Sequence, residues 1–145
     1  MKGSFLSPAD KVRLVAEAEH DIAAGVLDAT MIPFVRRLNA IPWLATTQCC
    51  QGHLAGENQY PAEILAYISL RCDAEHFATF LGVLWEYERW LCDASMPTGW
   101  IEFDVERRHD ESLYWRAVIW WQGPEQTTRR MKRLCELAEK AGTTP

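Results

Sequence analysis

An α+β domain, built on a four-stranded, mainly antiparallel sheet with helices packed on one face, is the fold class the sequence predicts. Three observations lead there. Four segments repeat apolar residues at helical spacing, and four shorter ones read as strands, two of them alternating apolar and polar. Their order is helix, helix, strand, strand, helix, strand, strand, helix, which such a sheet accommodates best. The 145 residues contain no repeat and no long linker, so positions 1–145 read as a single domain with room for a real core.

The first helix opens at "SPADKVRLVAEAEHDIAAG", with Ser7 as N-cap, Pro8 at the first helical position and Asp10 in the first turn. Val12, Val15, Ala16 and Ala23 form its expected apolar stripe, and Gly25 closes it in a left-handed conformation. "DATMIPFVRRLNA" is the second helix, capped by Asp28 or Thr30. Its Pro33 is tolerated in the first turn, Ile32, Val35 and Leu38 face inward, and Arg36 and Arg37 face outward. "WLATTQC" is a short strand, followed by the glycine-containing loop "QGHLAGENQYP".

"ILAYISLRC" is the second strand. Ala66, Ile68, Leu70 and Cys72 share one face, Tyr67, Ser69 and Arg71 the other. Asp73 caps a third helix whose core face is expected at Phe77, Phe80, Leu81, Leu84 and Leu91. "WIEFDVERR" alternates Ile101, Phe103 and Val105 inward with Glu102, Asp104 and Glu106 outward. After the polar turn "HDES" the chain returns as "SLYWRAVIWWQ", so these two strands form a hairpin. Gly123-Pro124 starts the last helix. Met131, Leu134, Ala138 and Ala141 mark its stripe, while Arg129, Arg130, Lys132 and Arg133 are expected on its solvated sides.

Composition narrows the function classes. A formal net charge of −5 argues against broad binding to nucleic-acid backbones. No apolar run approaches a membrane span and "MKGSFLSPAD" lacks a signal-peptide core, so no membrane partner and a cytoplasmic location are expected. The five cysteines are odd in number and irregularly spaced, which reads as buried thiols or ligands rather than a disulfide framework. Seven tryptophans are too many for one small core, so some are expected to line a pocket or a subunit interface. The second sheet face, with Tyr67, Arg71, Glu102, Asp104, Glu106, Arg116 and Trp120, reads as a mixed-charge aromatic surface. Cross-strand ion pairs on a solvated face are its plainer explanation.

The chemistry concentrates in "TTQCCQGH", residues 46–53. A strand ends there and turns at Gly52, where positive φ lets successive N–H groups converge on an anion. Thr46, Thr47 and Gln48 add neutral donors, Cys50 a thiol, and His53 a donor that becomes cationic near neutral pH. These six residues are the expected ligand site, for a small anionic or nucleotide-like molecule. A strand-to-loop turn with a capping histidine is the plain alternative. Cys50-x-x-His53 and Cys72-x-x-x-His76 also have zinc-compatible spacing, but Cys72 falls on an apolar strand face, so no metal is expected.

The stretch "DATMIPFVRRLNAIPWLATTQCCQGH" resembles the tRNA wybutosine-synthesis methyltransferase family, whose pattern runs from "P-x-x-x-x-x-N" to "T-S-S-C-S-G-R". Pro33, Asn39, Thr46, Thr47, Cys50 and Gly52 match it; Gln48 and Cys49 replace two serines and His53 an arginine. "AYISLRCDAEHFATFLG" is similar to the family's next strand and helix, extending the resemblance over residues 28–92. It implies that family's α+β fold and a ligand site at the motif loop. The family's later "G-F-R-N-S-G" has no counterpart in "YERWLCDASMPTGW". The expectation is therefore a ligand-binding protein that does not methylate tRNA, with its cofactor unassigned. The rivals are an S-adenosylmethionine-dependent tRNA-modifying enzyme and a non-enzymatic homo-oligomer joined through tryptophans.

Overall fold

The computed structural model describes residues 5–50, 65–96, 99–107 and 113–143. The elements follow the expected order: α1 (Pro8–Ala23), α2 (Ile32–Asn39), β1 (Leu44–Cys50), β2 (Leu65–Cys72), α3 (Phe77–Asp93), β3 (Gly99–Arg107), β4 (Leu113–Gln122) and α4 (Thr127–Thr143). Short 3₁₀ turns, Ala29–Met31 and Pro124–Gln126, lead into α2 and α4. The four strands form one antiparallel sheet ordered β1-β2-β4-β3, which leaves β1 and β3 as edges. The domain is α+β.

Local chemistry places several boundaries where the sequence puts them. The Asp10 N–H donates to Ser7 Oγ at 3.1 Å, capping α1. Just beyond its end Gly25 takes φ +72°, the left-handed turn that glycine adopts without a Cβ clash. Asp73 Oδ1 accepts from the His76 N–H at 2.8 Å and so starts the turn before α3.

Ala66, Ile68, Leu70 and Cys72 of β2, all fully buried, form the middle of the core face, beside Ala117, Ile119 and Trp121 of β4. Phe34, Val35 and Leu38 of α2, Phe80, Val83, Leu84, Tyr87 and Leu91 of α3, and Met131, Leu134, Cys135 and Ala138 of α4 pack against it. The α3 face is turned relative to expectation. Val83 and Tyr87 are inside with Phe80, Leu84 and Leu91, whereas Leu81 is exposed.

The stripe of α1 also needs correction: Val12 is 71% exposed, and Leu14 is the buried residue. Leu14 joins Leu6 and Ala45 in a small separate cluster, so α1 packs along the β1 edge rather than in the main core. Lys11 holds it there. Its ammonium donates to the carbonyls of Asn39 (2.5 Å), Ile41 (2.9 Å) and Leu44, the chain leaving α2 for β1. A helix lying on a strand edge buries a narrow line, which the spread of alanines and valines along α1 conceals.

Candidate functional site

Of the six residues expected to bind a ligand, four fall wholly or partly within the described residues. Thr46 is buried on the core side, its N–H donating to Asn39 Oδ1 at 2.8 Å and its hydroxyl to the same oxygen at 3.3 Å. Asn39 and Thr46, both drawn from the motif, thus tie the end of α2 to β1. Thr47 sits at a β-bulge: pairing passes from Thr46↔Leu70 to Gln48↔Ser69 and leaves Thr47 without an opposite residue. Its hydroxyl shares a short hydrogen bond with Ser69 Oγ. Cys50 closes β1 opposite Tyr67. Its side chain, like Gln51, Gly52 and His53, lies outside the described residues, as does the rest of the 51–64 loop.

The bulge forms one wall of a cleft of about 290 Å³ between α1 and β1. Thr46, Thr47, Gln48 and Cys49 line it with Tyr67, facing Leu14, Glu17, Ala18 and Asp21 of α1 and Val26 and Leu27 beyond it. The lining thus combines apolar residues and a tyrosine with two threonines, a glutamine, a glutamate and an aspartate. The α1 wall was not legible beforehand, because nothing local announces that residues 14–27 stand opposite residues 46–49.

From the same bulge a polar row crosses the second sheet face. Arg116 Nη1 donates to Gln48 Oε1 (3.3 Å) and Ser69 Oγ (3.4 Å), while Nε and Nη2 grip Asp104 at 2.7 and 3.1 Å. Glu106 accepts from Tyr114 OH at 2.6 Å and stands 2.9 Å from Arg116 Nη1. Asp104 and Glu106 hold the Arg116 guanidinium above its ordinary pKa. Beside this row Tyr67 and Trp120 pack at 4.9 Å, and Trp100 stacks on Trp120 at 5.8 Å.

Ser69 and Arg71, expected on an open face, are buried. Arg71 lies 4.2 Å over the Tyr114 ring and donates to Phe5 O (3.2 Å) and Asp10 Oδ2 (3.4 Å). The N-terminal segment therefore covers this end of the sheet.

The other candidate ligands are separated by packing. Cys72 is buried on the core face, and burial pushes its thiol up to about 12. His76 stacks on Trp43 with 5.4 Å between ring centres and bonds Asp73 Oδ1 through Nδ1 at 2.8 Å. Among the described residues, no three His, Cys, Asp or Glu side chains are grouped to hold a metal ion. No described helix is long and apolar enough to cross a membrane.

The basic cluster of α4 is also broken up. Arg130 is fully buried, with Nε and Nη2 donating to Gln126 Oε1 at 3.1 and 2.9 Å.

Neither the protein-family models nor the curated proteins match this chain. Among solved structures, the chain is similar to one of an archaeal protein. It is the PH1069 protein from Pyrococcus horikoshii, with a TM-score of 0.47 at 9% sequence identity, covering 92% of this chain and 91% of that one.

Proposed function

We propose that the protein binds a small nucleoside-like ligand in the cleft between α1 and the β1 bulge. One observation carries this reading: Thr46, Thr47 and Gln48, half of the six expected ligand residues, line a hollow shared with Tyr67, Glu17 and Asp21. A planar base suits the Tyr67 ring and the apolar side chains of Leu14 and Leu27. Asp21 and Glu17, the latter already bonded at Oε1 by Arg13 at 2.9 Å, accept hydrogen bonds from ribose hydroxyls or an amino group, and the Asp21 carboxylate repels phosphate. Within the anionic or nucleotide-like range expected from sequence, the cleft therefore favours the nucleoside end.

The resemblance of residues 28–92 to the wybutosine methyltransferases supports a ligand at this place, since it implies a binding site at the motif loop. The chain's own part is to seat the nucleoside: the Asn39–Thr46 bonds fix β1, and the bulge turns Thr47 out of the ladder.

Backbone amide shifts recorded against S-adenosylmethionine, adenosine, ATP and inorganic phosphate test this. Movement at residues 46–49 and 14–21 with the first two, lost in Asp21→Asn, is expected. No movement there with any probe refutes the reading, and a response to phosphate alone refutes the nucleoside preference.

A further inference from the structure

We propose that Arg116 is a positioning residue for the cleft, setting Gln48 and Thr47 as hydrogen-bond donors on its β1 wall. The ligand is then a nucleoside whose base meets β1 through a lone-pair edge, a ring nitrogen or a carbonyl. This rests on the nucleoside reading of the cleft and names the edge by which the base is held.

A cross-strand ion pair needs only Asp104 and Glu106, and both lie within reach of Arg116. The guanidinium goes further. From β4 it passes over β2 at Ser69 and reaches Gln48 on β1, with Nη1 3.4 Å from Ser69 Oγ and 3.3 Å from Gln48 Oε1. Serine is small enough to lie beneath it, and Ser69 is fully buried. The two-pronged grip on Asp104, at 2.7 and 3.1 Å, fixes the plane of the guanidinium. Only 17% of the Arg116 side chain is exposed, so the group is held rather than waving in solvent.

The count of protons decides what faces the ligand. A guanidinium carries five N–H donors and no acceptor, so the Gln48 amide meets it with oxygen. The amide nitrogen and its two hydrogens are left for the cleft that Gln48 lines. Ser69 Oγ accepts from Arg116, and its own buried proton needs an acceptor in turn. Thr47 Oγ1 is that acceptor, which releases the Thr47 hydroxyl hydrogen to the cleft. Thr46 is already spent, since its N–H and hydroxyl both serve Asn39 Oδ1. The β1 wall therefore offers donors at Thr47 and Gln48, and the α1 wall offers acceptors at Glu17 and Asp21. A base seated between them turns its lone pairs to β1, and the N–H or ribose hydroxyl groups turn to α1.

Adenosine, which is neutral and carries acceptors at N1, N3 and N7, is the probe, read by backbone amide shifts on the full chain. Gln48→Glu keeps the oxygen that Arg116 grips and replaces the N–H2 with a second oxygen. It is expected to bind adenosine at least about tenfold more weakly with an unchanged circular dichroism spectrum, as is Arg116→Met. Gln48→Glu carries the test where Arg116→Met disturbs the sheet. Exchanging one of the three acceptor nitrogens for C–H is expected to cost the wild type a similar factor and Gln48→Glu nothing further. Without ligand, the Gln48 side-chain amide is expected to be ordered on the nanosecond scale in the wild type and mobile in Arg116→Met. A wild-type amide as mobile as that of an unconstrained glutamine overturns the proposal and leaves the cleft standing. So does a Gln48→Glu chain that binds adenosine like wild type, or a set of three deaza analogues that all bind like adenosine. A wild-type chain with no adenosine response at all refutes the nucleoside reading and this inference with it.

Discussion

Individual residues show how burial overrides type. Arg130 belongs to the run "TTRRMKR", where a solvated helix face is the natural expectation, yet it is fully buried. It is held by Gln126 one turn earlier, and its charge and hydrogen bond act on Tyr87 against the desolvation that raises that phenol. Replacing Arg130 with Ala strips hydrogen bonds to a charged group and leaves a void, so a loss of about 3 kcal/mol in urea-unfolding stability is expected. A variant within 0.5 kcal/mol of wild type would show that the arginine adds nothing there. Gly99 is the companion position. A Cβ there would lie 2.7 Å from both Arg130 Nη1 and Trp120 O, and the latter is strand backbone that cannot yield, so Gly99→Ala is expected to destabilise as well.

Lys11 supplies a pH dependence whose sign follows from its surroundings. Burial lowers its ammonium from an ordinary 10.5 to about 8. Above pH 8 the folded chain sheds this proton while the unfolded chain keeps it, so this contribution to stability rises with pH up to 10.5. Cys72 and Cys135, raised from 9.0 to about 12, act oppositely, because the unfolded thiols ionise first and their contribution falls above pH 9. Lys11 thus governs the interval between these onsets. Urea melts at pH 8 and 9 should show wild type gaining relative to Lys11→Met; equal change in both proteins would discount the lysine.

At the scale of elements, sequence signals are strongest where they are local. Ser7, Pro8 and Gly25 bound α1 as read, and Ser7→Ala is expected to lower the thermal midpoint through a loss of about 1 kcal/mol. An unchanged midpoint would mean that the Ser7–Asp10 bond is replaced by water at no cost. Alternation likewise names the two faces of β2 and β3 correctly. It does not reveal what lies over each face. Phe103 and Val105 point to the helix side but stand beyond the helices, while Ser69 and Arg71 point away from the core and are still covered. The same strand pattern therefore yields exposed phenylalanine in one strand and buried arginine in another.

For the molecule as a whole, the free thiols report on packing. Cys92 is exposed on α3, whereas Cys72 and Cys135 are buried from opposite sides of one core. Iodoacetamide at pH 8 is expected to modify Cys92 rapidly, and Cys72 and Cys135 only at the rate at which the domain unfolds. Fast labelling of either buried thiol in the native protein would contradict a single cooperative core. Tryptophans divide along the same line: Trp43 and Trp121 are inside, while Trp85 and Trp100 are exposed on α3 and β3. The sequence by itself determined the order of elements, the caps of α1, the core faces of β2 and α4, and the chemical content of residues 46–53, because each depends on neighbours within a few positions. Only the tertiary structure decided that α1 faces the β1 bulge across a cleft, that Arg71 and Arg130 are enclosed, and that β3 is left as an apolar edge. These depend on strand order and on which helix overlies which strand, and long-range packing settles such pairings between residues far apart in the chain.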